Sequence, residues 1–207
     1  VLENITWLGH DAFKIAASKI IYLDPFELAG DLEPADVICI THEHYDHCSP
    51  EDVAKIRRQG TVLVAPKSCK AKLRGEIRLV KAGDTVQIDD LTIEAIPAYN
   101  VNKKFHPREA GGLGYVLTVD GTRIYHAGDT DPIPEMEGLE VDIALLPVSG
   151  VYVATAEEAV EAANKVGPKI VIPMHYGSIV GSRADAERFK ELWPGQVVIK
   201  EVQRSSG

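Results

Sequence analysis

Cysteine is scarce and unpatterned. Cys39, Cys48 and Cys69 are an odd number with no C-x-x-C pair, which argues against a disulfide framework or a thiolate zinc cage and predicts a reducing, cytoplasmic setting. No window approaches the ~18 to 20 consecutive apolar residues of a membrane span. The start VLENITWLGH lacks a basic region ahead of an apolar stretch, so neither insertion nor export is expected. Positive charge is in deficit: 22 Lys and Arg against 31 Asp and Glu leave a net charge of −9 with histidine neutral. That balance, without a basic arm or an aromatic-basic array, speaks against a nucleic-acid-binding module. No internal repeat, Pro- or Ser-rich linker or low-complexity tract divides the 207 residues, so residues 1–207 are expected to form one domain. With 45% hydrophobic and 26% charged residues the composition is that of a globular protein.

The punctuation of the chain predicts its elements. NITWLGHDAFKIAASKIIYLDPF alternates in short runs, as strands joined by tight turns do. Val37, Ile38, Cys39 and Ile40 form a continuous apolar stretch, the mark of a strand buried on both faces. SPEDVAKIRRQG reads as a helix: Ser49 is its N-cap, Pro50 its first residue, and Gly60 its stop. TVLVAP and EIRLV are expected strands, followed by hairpins turning at Asp89-Asp90 and at Asp120-Gly121. Between the hairpins, NVNKKFHPREAGGLG is longer than a connection requires, which marks it as a functional loop. The last third alternates strand VDIALLPV, helix TAEEAVEAANKVG with a Thr155–Glu158 capping box, strand KIVIPMHY, helix ADAERFKELW and strand QVVIKEV. Hairpins followed by strand–helix alternation imply an α/β chain of mixed sheets covered by helices.

The strongest chemical signal is THEHYDH. His42, His44, Asp46 and His47 lie between a buried strand and a capped helix, and packing does not account for four metal-capable side chains in six positions. Imidazoles suit zinc, iron and related divalent ions, and a carboxylate adds a harder ligand. In an extended stretch His42 and His44 project to one side, while Asp46 and His47, where the chain turns, reach a neighbouring point. Two adjacent metals are thereby suggested. Asp129 in HAGDT and His175 in IPMHYG also stand at strand ends, where side chains emerge from a sheet edge.

With these residues the chain resembles the metallo-β-lactamase superfamily of metal-dependent hydrolases, whose H-x-H-x-D-H signature corresponds to His42, His44, Asp46 and His47. WLGHDAFKI, YLDPF, IYHAGDTD and PMHYG are similar to a small hydrolase group related to ascorbate-6-phosphate lactonase and to the phospholipase D acting on N-acylphosphatidylethanolamines. The resemblance implies a four-layer αββα sandwich of two mixed β-sheets with metals at one edge. It implies that His42, His44 and a third histidine bind one ion, that Asp46, His47 and His175 bind the other, and that Asp129 bridges. The ions expected are two divalent cations per chain, zinc first, with Mn2+ or Fe2+ as alternatives. Relatives commonly place the third histidine near Asn100; here His106 in KKFHP is the choice, with water or Asn100 completing the site otherwise. Asp24 is expected to orient metal-bound imidazoles, His10 to hydrogen-bond substrate or a ligand, His126 to be structural and Cys48 to be a small buried side chain.

Two cations sharing a water lower its pKa from ~15.7 towards neutrality, so the implied chemistry is attack of hydroxide on an ester, lactone or phosphodiester, with Asp46 or Asp129 orienting it. Lys103, Lys104 and Arg108 around His106 suggest a small anionic substrate. Flavodiiron oxidoreductases of similar fold carry Glu where this chain has His44, and need a flavin domain. GGLG is followed by neither Lys-Ser/Thr nor a helix start, so it is a weak phosphate-cradle signal. The rival from another class is a metal-binding, non-catalytic scaffold or sensor; retention of both Asp46 and Asp129 argues against it.

Overall fold

A computed structural model describes residues 2–203. Its first sheet contains β1 (Ile5–Gly9), β2 (Ala12–Ala16), β3 (Ile20–Leu23), β4 (Val37–Cys39), β5 (Val62–Pro66) and β6 (Ile77–Val80), in that spatial order. The first three strands pair antiparallel, while β3 to β6 are parallel. The second sheet runs from β7 (Thr85–Ile88) through β8 (Leu91–Pro97), β9 (Leu113–Val119), β10 (Thr122–His126), β11 (Ile143–Pro147) and β12 (Ile170–Met174) to β13 (Gln196–Val197). It is antiparallel up to β10 and parallel beyond. Helices α1 (Pro50–Ile56), α2 (Ala156–Val166) and α3 (Arg183–Leu192) complete the chain.

The two-residue period of a strand sorts its side chains between layers. Ile21 and Leu23, Val37 and Cys39, and Val64 enter the main core, shared with the second sheet, α2 and α3. Their neighbours Tyr22, Ile38, Leu63 and Ala65 face the other way and pack with Val53 and Ile56 of α1. The first sheet is therefore buried on both faces, as expected for β4, and the layers follow the αββα order.

Local chemistry fixes the elements. Ser49 caps α1 by accepting from the Asp52 amide, and Thr155 and Glu158 form the capping box of α2, which Gly167 ends in the left-handed region at φ 66°. Asp120 and Gly121, at φ 48° and 75°, make the mirror-image turn that suits a two-residue hairpin. Two boundaries differ from expectation. The helix ends at Ile56, before Gly60, because Arg57 is extended and the Ile56 carbonyl accepts from the Ala35 amide. The last strand covers only Gln196–Val197, because the chain then crosses to the first sheet, where the Gln203 amide donates to the Trp7 carbonyl. Among the described residues, no helix is long and apolar enough to cross a membrane.

Candidate metal centre

Alternating pairings make β1, β3 and β4 run in one direction, and β8, β10 and β12 share one direction in the other sheet. The candidate residues follow the C-terminal ends of these six strands. His10 and Asp11 follow β1, Asp24 follows β3, and the segment of His42, His44, Asp46 and His47 follows β4. Asn100 and His106 follow β8, Asp129 follows β10, and His175 follows β12. Side chains remote in sequence thus meet at one edge of the sandwich. Tight turns carry these residues into place: His10, Asp24, His106 and His175 all sit at positive φ, between 41° and 60°, an uncommon region for non-glycine residues that the turn residues Asp89 and Asp120 also adopt. Gly128, at φ 63°, allows the turn into Asp129, since a Cβ there would lie 2.7 Å from the Leu113 carbonyl oxygen.

Three clusters of metal-capable atoms result. His42, His44 and His106 form one; His10, Asp46, His47 and His175 form a second; Asp11, His47, Asp129 and His175 form a third that shares two histidines with the second. In the first cluster His44 Nδ1 lies 3.0 Å from His42 Nε2 and 3.1 Å from His106 Nε2. One ring nitrogen has a single hydrogen or lone pair, so it cannot satisfy both neighbours. Nitrogens held by one tetrahedral zinc at ~2.0–2.1 Å stand about 3.3 Å apart, close to this spacing. Asp129 lies between the clusters. Its Oδ2 is 3.2 Å from His106 Nε2, 3.3 Å from His175 Nε2 and 3.8 Å from His42 Nε2, and its Oδ1 is 3.4 Å from His47 Nε2.

The partners behind each ring decide which nitrogen faces inward. Thr41 commits its hydroxyl proton to Asp24 Oδ2 at 2.6 Å, so its oxygen accepts from His42 Nδ1–H at 3.0 Å and leaves Nε2 as a free lone pair. His47 Nδ1–H donates to the same Asp24 oxygen at 2.8 Å. His106 Nδ1–H points at Asn100 Oδ1 and the Tyr152 carbonyl oxygen, 3.0 and 3.2 Å away. Asn100 therefore stands behind His106, and its backbone amide donates to the His106 carbonyl, closing the loop that carries the ring inward. His10 Nε2 meets Asp46 Oδ2 at 3.0 Å. His126 turns away from the cluster: its Nε2–H donates to the Asp11 carbonyl and its Nδ1 accepts from the Gly128 amide.

Burial and neighbouring charge set the protonation of the cluster without metal. Burial, reinforced by His47, holds His42 well below the ordinary histidine range, and burial lowers His44 and His10 as well. These rings are neutral and ready to ligate. Burial opposes charge on His47, but Asp129 and Asp24 outweigh it and raise that imidazole well above its usual value. Burial likewise works against ionised Asp129, yet His47 and His175 hold its carboxyl well below the normal range. Burial similarly disfavours ionised Asp46, which its bonds with His10 and His47 nevertheless keep low.

Asp11, which the sequence does not single out, joins the third cluster. It is fully buried, neither of its carboxyl oxygens has a hydrogen-bond partner, and burial together with Asp129 pushes it well above the carboxylate range. Its place immediately after His10 in a strand-end turn was the available signal. Of the expected basic patch, Lys103 pairs with Asp131 and Glu158 and Arg108 with Glu135, while Lys104 is exposed and has no ion pair among the described residues. Cys48 is buried and outside the clusters, as expected.

The sequence profile of the Beta-lactamase superfamily domain matches residues 4–175. A protein of Methanoculleus marisnigri named UPF0173 metal-dependent hydrolase is 36% identical over 198 residues, covering 90% of this chain and 87% of that one. This chain belongs to the metallo-β-lactamase superfamily. Among solved structures, a protein of Parabacteroides distasonis provisionally assigned as a metal-dependent hydrolase superposes with a TM-score of 0.84 at 38% identity, covering 96% and 93% of the two chains. A provisionally assigned Zn-dependent hydrolase of the superfamily from Thermotoga maritima, at 23% identity and a TM-score of 0.65 over 96% and 98% of the chains, shares the fold.

For a metallo-β-lactamase-fold protein a metal is implied, and the residues present fit one. Orphaned buried atoms gather at this edge: His47 Nε2, Asp129 Oδ1, both Asp11 oxygens and His10 Nδ1 have no hydrogen-bond partner, a costly arrangement unless a cation meets some of them. Asp24 holds His47 directly and His42 through Thr41. Asp24→Ala is therefore expected to lower metal affinity by roughly 10–100-fold, read by chelator competition; an unchanged affinity would refute its orienting role.

Proposed function

We propose that the protein hydrolyses an ester, lactone or phosphodiester bond in a small molecule with the aid of two divalent cations. His42, His44 and His106 would hold one ion, Asp46, His47 and His175 the other, with Asp129 shared. The observation carrying this reading is the position of Asp129, the one carboxylate among the described residues within 4 Å of histidines from both groups. Imidazole nitrogens with carboxylates suit zinc first, with Mn2+ or Fe2+ as alternatives.

When bound, such a pair supplies an acidified water as nucleophile and polarises the substrate oxygen. The chain's own residues do the positioning. Asp46, which His10 anchors, would accept a hydrogen bond from the attacking water and fix its direction. Asp24, Thr41, Asn100 and Ser149 lock the rings, Ser149 through its hydroxyl 3.0 Å from His175 Nδ1, so little reorganisation accompanies reaction.

Elemental analysis of protein purified without added metal is expected to give close to two ions per chain. Turnover of bis(p-nitrophenyl) phosphate or a γ-lactone is expected to fall by at least about 100-fold in Asp46→Ala. Full metal content with no turnover across esters, lactones and phosphodiesters would instead favour a scaffold or sensor. A content near one ion, unchanged in His106→Ala, would remove His106 from the ligand set.

A further inference from the structure

Large apolar side chains are ordinarily withdrawn from water. Among the described residues eight are exposed, and four of them surround one cavity: Tyr45 at 64%, Phe105 at 49%, Tyr152 at 39% and Ile179 at 38%. The cavity measures about 310 Å³, and the remainder of its wall is His44, Asp46, His106 and Asp129. An exposed apolar rim therefore opens directly onto the proposed metal ligands. Nothing in the hydrolytic machinery requires it, since the rings of His42, His47, His106 and His175 are locked by polar groups.

The rim is built into the site. Phe105 and Tyr152 meet edge to face at 4.5 Å, and Tyr45 meets Phe26 in the same manner at 5.9 Å, which keeps these rings in place at little entropic cost. Phe105 adjoins His106, and the Tyr152 carbonyl accepts from the His106 ring, so the aromatic pair and the ligand form one unit. A second cavity of about 270 Å³ shares His44, His106 and Asp129 with the first, but its further walls include Ala98, Pro107 and Gly112. The proposed centre thus stands between two unequal compartments.

Resting on the two-ion reading above, we infer that the scissile bond carries an aryl or comparably bulky apolar group on one side, seated against Tyr45, Phe105, Tyr152 and Ile179. The occupant is part of the substrate, because the recess is small-molecule sized and its floor consists of the groups that would perform the chemistry. The cations of this loop do not enter the recess: Lys103 and Arg108 are spent on Asp131, Glu158 and Glu135, and Lys104, which has no ion pair among the described residues, does not line it.

Benzohydroxamate and acetohydroxamate test this, since both present the same chelating group and differ in a ring against a methyl. Calorimetric titration of the protein loaded with two equivalents of zinc is expected to show benzohydroxamate binding roughly tenfold tighter or more. In Phe105→Ala and Tyr152→Ala that ratio is expected to fall to within about threefold. In Leu79→Ala, another exposed apolar residue lying on β6, it is expected to persist. Equal affinities in the parent protein, or a ratio untouched by the two aromatic substitutions, would overturn the inference while leaving the hydrolase reading in place. A change in oligomeric mass by light scattering in both aromatic variants would reassign the rim to contact between copies and overturn it too. A zinc-loaded protein that binds neither hydroxamate would sink the hydrolase reading, and this inference with it.

Discussion

Stripping divalent metal from the protein is expected to lower its melting temperature by roughly 8–16 °C. Ions present at a thousand times their dissociation constant stabilise a fold by about 4 kcal/mol, and in a chain of this length each kcal/mol moves the midpoint by about 2–4 °C. The cluster gives this general linkage a specific cause. Without cations, Asp11, Asp24, Asp129 and the rings of His42, His47 and His175 are packed together out of water, with several atoms unpaired. The effect has a sign in pH. His47 and Asp11 have raised values in the metal-free fold, so the stability they contribute is present below their unfolded values and is lost as pH rises through the folded ones. The lowered values of His42, His44 and His10 act oppositely, but only as pH falls below about 6.5. Above that point metal-free protein loses stability with pH while metal binding, which must displace the His47 proton, strengthens. The gap between loaded and stripped melting temperatures should widen from pH 6.5 upward. Scanning calorimetry of both forms decides it: coincident transitions would mean that the cluster holds no ion of consequence.

Much of the architecture is legible in the sequence because it is written locally. The Ser49 and Thr155 caps, the Asp120-Gly121 turn and the apolar run before His42 each depend on a few neighbouring residues, and each stands where the local rule places it. Strand ends are local signals too, so Asp129 and His175 were recognisable as candidates before any sheet order was known. What escaped depends on distance along the chain. Lys103 reads as a free cation until the fold brings Asp131 and Glu158 to it, 28 and 55 residues away. Sequence alone leaves Asn100 as the fallback to His106, and only the folded loop shows it standing behind that ring. Asp11 lies in the tight turn after β1, and only the register that pairs Trp7 with Phe13 and Gly9 with Ala12, with the packing of the sheets, brings it beside His47. The aromatic rim is assembled from four separate segments, and no periodicity announces it.

Asp129→Ala is expected to have the largest functional effect of any single substitution: metal content falling from two ions to one or none, and hydrolysis of bis(p-nitrophenyl) phosphate falling by at least about a thousandfold. Every other candidate ligand serves one group. His42 and His106 lie on one side and His47 and His175 on the other, and among the described residues only the Asp129 carboxylate reaches nitrogens of both within 4 Å. It is also the anion that, with Asp24, balances the buried His47 imidazolium. Its removal therefore separates two half-sites and leaves their charges uncompensated. Asp129→Asn keeps the shape and one oxygen but loses the charge, so it should retain the fold by circular dichroism while losing most of its metal. That contrast separates a ligand from a packing residue. A well-folded Asp129→Ala protein that still carries two ions and turns over substrate within tenfold of the parent would mean that the two half-sites do not work through a shared carboxylate.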